Sequence, residues 1–402
     1  MFLDHSLDER ARRGSPPPAL GASSRVHYGH GMSSRFAPKP PWLKVRAPGG
    51  DTYHRLKETF RELDLHTVCE EARCPNVGEC WREGTATVML LGDVCTRGCR
   101  FCAVTTGDPR GAVDTREPEH VARAIARLEL QYVVMTMVNR DDLLDGGAEH
   151  VARTVTRLHE LRPDLLIETL VGDFLGHMSS VDTVVDAGPD VFAHNVEVVR
   201  RLTRKIRDAR TSYDQSLAVL RHAKDRAAAQ GPAAGRRAQL TKSSIMVGIG
   251  ETDDEVLETL RDLRGAGVDI VTLGQYLRPT PKHHEVIRFV TPETFADYER
   301  AALELGFLYA ASGPLVRSSY KAAEVFVRSV LSPGQRSEST IDAVGDELER
   351  RLETARREAA RVHREHAPEP REPREPHKNE IVMQPAVALA SALLPAESLV
   401  RR

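Results

Sequence analysis

Short apolar runs alternate with helical stripes through the middle of this chain. The runs Ala86–Leu91, Tyr132–Val138, Leu165–Val171, Val191–Val196, Ser244–Ile249 and Ile270–Tyr276 have strand length and few polar interruptions. Between them, Glu117–Leu130, Ala148–Leu161, Tyr213–Ala229 and Asp253–Ala266 space their apolar residues three or four apart, the period of a helix with one buried face. Repeated strand–helix units predict a parallel sheet, and six of them predict an α/β fold of the partial (β/α)6 TIM-barrel type. Chemistry in such barrels sits where the strands end.

The pattern fades at both ends. Residues 1–41 are rich in Pro, Ser, Gly and Arg without a sustained period and are expected to form a disordered tail. Residues 42–84 form an extension ahead of the first strand, and 85–329 hold the barrel. Residues 330–402 form a charged helical and Pro-rich extension: Ile341, Val344, Leu348, Leu352 and Ala355 make an apolar stripe, and Ala367–Lys378 reads as a proline-stiffened linker.

Composition narrows the classes. Lys and Arg number 56 against 58 Asp and Glu, a net charge of −2 that gives no support to bulk-charge binding of nucleic acid or membrane. No apolar run is long enough to span a bilayer, and Asp4, Asp8 and Glu9 argue against a mitochondrial transit peptide. A cytoplasmic protein is expected.

The six cysteines change the picture, because all lie between Cys69 and Cys102. Cys95, Cys99 and Cys102 follow the first strand in C-x3-C-x2-C spacing. Three thiolates from one loop suit a [4Fe–4S] cluster whose fourth iron is left for a substrate, as when S-adenosylmethionine chelates it through its amino and carboxylate groups. A zinc knuckle needs a fourth ligand, and none follows at that spacing. Disulfides fit poorly in a chain expected to stay in a reducing compartment. Cys69, Cys74 and Cys80, in C-x4-C-x5-C spacing, suggest a second cluster on the extension, completed by a residue from elsewhere.

These motifs, together with WLKVRAPGG from Trp42, NRDDLLDGGA from Asn139, AHNVE from Ala193, TKSSIMVGIGET from Thr241, GQYLRPT from Gly274 and SGPLVRSSY ending at Tyr320, resemble the lipoyl synthase family of the radical S-adenosylmethionine superfamily. The resemblance implies two [4Fe–4S] clusters. Cys95, Cys99 and Cys102 would carry the radical-generating one, which consumes S-adenosylmethionine as co-substrate. Cys69, Cys74 and Cys80 would carry an auxiliary cluster that serves as the sulfur source, with a serine of RSSY as fourth ligand. Ser319 is preferred over Ser318 by position, and Arg317 is a candidate support for that segment.

The reaction implied is sulfur insertion at C6 and C8 of an octanoyl group carried by a lipoyl-carrier domain, with electrons from a donor such as flavodoxin or ferredoxin. Asn139, Asp141, Asn195, Glu197 and Phe101 are candidate contacts for S-adenosylmethionine, with ordinary loop capping or packing as the alternative for each. Met137, Gly172 and Val198 depart from the family's usual residues near the cofactor. Two rivals remain: a sulfur-inserting enzyme of the biotin synthase kind, and a non-catalytic electron carrier or cluster scaffold, which would have no need of a barrel.

Overall fold

A computed structural model describes residues 39–44, 54, 57–58, 61, 66–71, 74, 77, 87–127, 130, 132–230 and 239–319. All fall within one compact unit. The expected disordered tail up to residue 38, the stripe at Ile341–Ala355, the Pro-rich linker and the final apolar stretch lie outside the described residues, as does most of the 42–84 extension.

The centre is a parallel sheet of seven strands: β2 (Thr87–Leu90), β5 (Tyr132–Met137), β6 (Leu166–Leu170), β7 (Val191–Ala193), β8 (Leu240–Val247), β9 (Ile270–Gln275) and β10 (Tyr309–Gly313). Spatial order follows chain order, and β1 (His66–Thr67) adds one antiparallel pairing outside β2. Among the described residues β10 does not close onto β2, so the barrel is partial. The strands are buried nearly throughout because helices cover their outer side and the barrel interior their inner side.

All six expected strands are present. The seventh parallel strand, Tyr309–Gly313, reads YAASG, and its small residues carry little strand signal. Strand β8 begins at Leu240, earlier than its apolar run suggests, because Lys242 is neutralised inside the sheet: its Nζ lies 2.9 and 2.8 Å from the two Glu168 oxygens. Tyr132 donates its hydroxyl proton to the same carboxylate. These three buried groups plug the barrel at the strand N-termini.

Helices α2 (Glu117–Arg127), α3 (Ala148–Leu161), α4 (Met178–Asp186), α5 (Arg200–Ile206), α6 (Tyr213–Gln230), α7 (Asp253–Gly265) and α8 (Pro292–Glu304) follow the strands; α1 (Val68–Glu71) precedes them. Their starts are written locally. Thr252 and Glu255 form a reciprocal capping box at α7, and Thr291 caps α8 immediately before Pro292. Apolar faces such as Val121, Ala122 and Ile125 of α2 then seal against the sheet. No helix among the described residues is long and apolar enough to cross a membrane.

A candidate metallocofactor site

The loop after β2 carries Cys95, Cys99 and Cys102 across the strand C-termini. Two short strands, β3 (Val94–Cys95) and β4 (Thr105–Thr106), pair in parallel and fix its ends. The Thr96 amide and hydroxyl both donate to the Asn139 carbonyl at 2.9 Å, which ties the loop to the end of β5. Arg97 points inward with a side chain only 1% exposed, and its guanidinium meets Asp141 at 2.8 Å and Asp173 at 2.6 Å. Arg97 is a rivet under the loop.

Each thiol also receives a backbone N–H. Arg97 donates to Cys95 Sγ at 3.4 Å, Asp208 to Cys99 Sγ at 3.4 Å, and the Val104 amide bonds Cys102. Such donors stabilise a sulfur that carries negative charge. Without a metal, burial pushes the Cys99 thiol up to about 11 and Cys102 up to about 12. Binding iron would have to expel these protons, as any thiolate ligation does.

Among the described residues no three His, Cys, Asp or Glu side chains converge on one metal ion, and Cys74, Cys95, Cys99 and Cys102 form no disulfide. A zinc site would draw its sulfurs to about 2.3 Å from one centre. Three thiols on one loop, each already receiving a backbone N–H, are a donor set that fits an iron–sulfur cluster.

The thiols face a cavity of about 510 Å³ at the strand C-termini, which also takes in Cys74, Ser318 and Ser319. The two serines approach because β9 carries Gly274: a Cβ built there would lie 2.0 Å from the Val316 carbonyl oxygen. Only a residue without a side chain lets the 314–319 segment pass so close. Arg317 bonds its own segment at the Val316 carbonyl. Of the first cysteine triplet only Cys74 is placed at the cavity. The side chain of Cys69, and all of Cys80, lie outside the described residues.

Asn139, Asn195, Glu197 and Phe101 line the same cavity. Asp141 is not among the lining residues, and its carboxylate pairs with Arg97 and Arg210. Glu197 takes a left-handed φ of 67°, which lets the chain leave β7 while its amide and carbonyl bond Ser244 and Met246 of β8. Such backbone strain in a non-glycine residue is held by its surroundings and is common at sites. Burial raises the Glu197 pKa against the opposing pull of Arg207 and the Asn195 amide. The Asn195 Oδ1 is buried with no hydrogen-bond partner among the described residues.

Three cavity residues went unnoticed in the sequence. Asp173 is fully buried; burial opposes its charge, but the Arg97 guanidinium holds its pKa below the usual carboxylate range, and its Oδ2 has no hydrogen-bond partner among the described residues. Arg207 donates to Ser216 Oγ at 2.7 Å, Ser216 lies 2.9 Å from His194 Nε2, and His194 Nδ1 donates to the Val171 carbonyl at 2.9 Å. Burial, with Arg207 beside it, pushes His194 down to about 4, so it is a neutral scaffold at pH 7. Arg97, one of the three residues between Cys95 and Cys99, was the available signal; Asp173 and His194 offered none beyond adjacency to strand ends.

The departures from the family pattern also fall here. Met137 and Gly172 line the cavity, whereas Val198 is buried away from it. A Cβ at Gly172 would lie 2.2 Å from Asn139 Oδ1, so the glycine makes room for this asparagine.

Residues 89–263 match the radical S-adenosylmethionine superfamily, and residues 24–74 match the N-terminal domain of lipoyl synthase. A lipoyl synthase of Sorangium cellulosum is 75% identical over 92% of this chain and 100% of its own length. That of Thermus thermophilus is 56% identical over 72% of this chain and 87% of its own, and the mitochondrial lipoyl synthase of Danio rerio is 52% identical over 76% and 75%. The crystal structure of methylornithine synthase aligns over 75% of this chain and 92% of its own, at 15% identity and a TM-score of 0.38. With a relative three-quarters identical across its full length, and both family models matched, the chain belongs to the lipoyl synthase family of radical S-adenosylmethionine enzymes.

Proposed function

We propose that this chain is a lipoyl synthase that uses two [4Fe–4S] clusters to insert sulfur at C6 and C8 of an octanoyl group. Cys95, Cys99 and Cys102 hold the first cluster. Cys69, Cys74 and Cys80 with Ser319 hold the second, on the 42–84 extension and the end of the 85–329 barrel. When bound, the first supplies the electron that cleaves S-adenosylmethionine to a 5′-deoxyadenosyl radical, and the second supplies the sulfur. The observation that carries this is one cavity gathering Cys74, the three loop cysteines, Ser318 and Ser319.

The surrounding residues have separable tasks. Asn195 offers an unused acceptor and Glu197 a buried carboxyl to the polar ends of S-adenosylmethionine, and Phe101 offers a face for its adenine. Asn139, packed on Gly172, is a further polar contact. Met89, Val138, Leu170 and Ile245 keep water from a reactive carbon centre. Serine is a harder ligand for iron than thiolate, so the iron it holds is the easiest to release. The octanoyl group arrives on a lipoyl-carrier domain, and electrons come from a small donor such as flavodoxin or ferredoxin. The cytoplasm, where thiols stay reduced, suits the ligand set.

Anaerobic reconstitution with iron and sulfide, followed by S-adenosylmethionine, reductant and an octanoylated carrier peptide, tests this. About eight irons per chain are expected, as for two four-iron clusters, with 5′-deoxyadenosine and a dithiolated peptide. Four irons, or 5′-deoxyadenosine without sulfur transfer, would overturn it.

A further inference from the structure

The cysteine loop has two faces. Cys95, Arg97, Cys99, Phe101 and Cys102 line the cavity; Gly98 and Arg100 do not, and both are exposed. The backbone of Arg100 joins two other elements: its amide donates to the Ile206 carbonyl at the end of α5, and its carbonyl accepts from the His284 amide at 2.9 Å. Ile206 follows Lys205, and His284 lies two residues after Lys282, so these bonds bring both lysine-bearing segments to Arg100. Arg100 and Lys205 both reach His284, whose pKa is lowered by burial first and then also by their charges. Arg100, Lys205 and Lys282 are exposed and have no ion-pair partner among the described residues. The opposing acids are few: Asp208 is taken by Arg210, which leaves Glu285.

We propose that Arg100, Lys205 and Lys282 form the docking surface for a reduced electron-carrier protein with an acidic face. Three unpaired cations on a chain of net charge −2 make a local field of the kind that steers an acidic partner. Position favours this occupant over the octanoylated carrier. An acyl arm must enter the cavity, whereas an electron need only cross the loop, whose exposed residues alternate with the thiol-bearing ones. One electron leaves the donor, which is oxidised by one equivalent, and enters the site held by Cys95, Cys99 and Cys102. The inference rests on the proposed role of those cysteines.

The test uses the full-length, cluster-loaded chain and the Lys205→Glu/Lys282→Glu variant, with an acidic flavodoxin as probe. Calorimetric titration with oxidised flavodoxin should show an affinity weaker by about tenfold, and flavodoxin-driven kcat/KM should fall by about the same factor and lose its salt dependence. Dithionite-driven turnover should not change. Arg100→Gln should shift binding in the same direction. Unchanged flavodoxin affinity would overturn the proposal, as would an equal fall with dithionite. A raised KM for the octanoylated carrier protein under dithionite would give the surface to that partner instead. If the unsubstituted chain fails to cleave S-adenosylmethionine with dithionite, the underlying cluster assignment has failed, and the docking surface with it.

Discussion

The two ends of this barrel treat buried polar groups in opposite ways. At the strand N-termini, Lys242, Glu168 and Tyr132 are buried together and satisfy one another. At the C-termini, Asn195 Oδ1 and Asp173 Oδ2 are also buried, belong to residues that line a cavity and have no hydrogen-bond partner among the described residues. Burying a polar atom without a partner costs about 1–3 kcal/mol, which a fold tolerates where a ligand or water will supply the bond. The closed end therefore spends its polar groups on stability, and the open end reserves them for binding.

Substitutions should separate the two ends. Cys99→Ala, at the open end, should reduce S-adenosylmethionine cleavage and sulfur insertion to background while leaving the unfolding midpoint of the cluster-free chain nearly unchanged. Chromatographic assay of 5′-deoxyadenosine and thermal melting check both halves. Lys242→Met, at the closed end, strands the Glu168 carboxylate and should lower stability by about 3–5 kcal/mol. Denaturant unfolding measures this, and adding Glu168→Gln should restore much of it by removing the unpaired charge. A Lys242→Met chain of normal stability would end the claim that this pair plugs the barrel.

The difference between the ends also explains what the sequence disclosed. The strands and long helices were legible because alternating apolar runs and stripes repeat a period that burial on a parallel sheet demands. The thiols were legible because their spacing within one loop is a ligand pattern in itself. Lys242 looked like an interruption before a strand, since its partner Glu168 is 74 residues away and nothing local announces the pair. Tyr309–Gly313 was hidden by small residues that pack against β9 without a β-branched signature. Asp141 was legible as a polar residue after a strand, but its pairing with Arg97, 44 residues earlier, was not. Gly274 was visible as a letter, yet its role depends on Val316, which only the folded chain brings near.

Smaller and more selective effects are expected within the open end. Gly274→Ala should push the 314–319 segment away from β9, since the new Cβ would lie 2.0 Å from a backbone oxygen that has little freedom to yield. Iron content should drop from about eight toward four per chain, with sulfur insertion lost and cleavage of S-adenosylmethionine retained. Loss of both activities together would mean that the segment supports the whole site. Asn195→Ala should weaken S-adenosylmethionine binding by about tenfold, near 1.4 kcal/mol, without lowering the melting temperature. An unchanged affinity would mean that Oδ1 waits for water and not for the cofactor.

The smallest effect is a pH dependence that the open end imposes on stability. His194 is buried among Arg207, Ser216 and Val171, and its folded pKa of about 4 lies below the ordinary histidine value of 6.5. Between those values the unfolded chain binds the proton and the folded chain does not. The stabilisation is thus complete above about pH 6.5 and declines as pH falls toward 4. Protonating His194 would set a second cation beside the Arg207 guanidinium around one Ser216 hydroxyl. The cluster-free chain should melt a few degrees lower at pH 5.5 than at pH 7.5, and His194→Gln, which keeps one donor and one acceptor, should flatten that slope. A slope identical in both chains would place the acid sensitivity elsewhere and leave His194 a neutral spacer in the wall of the cavity.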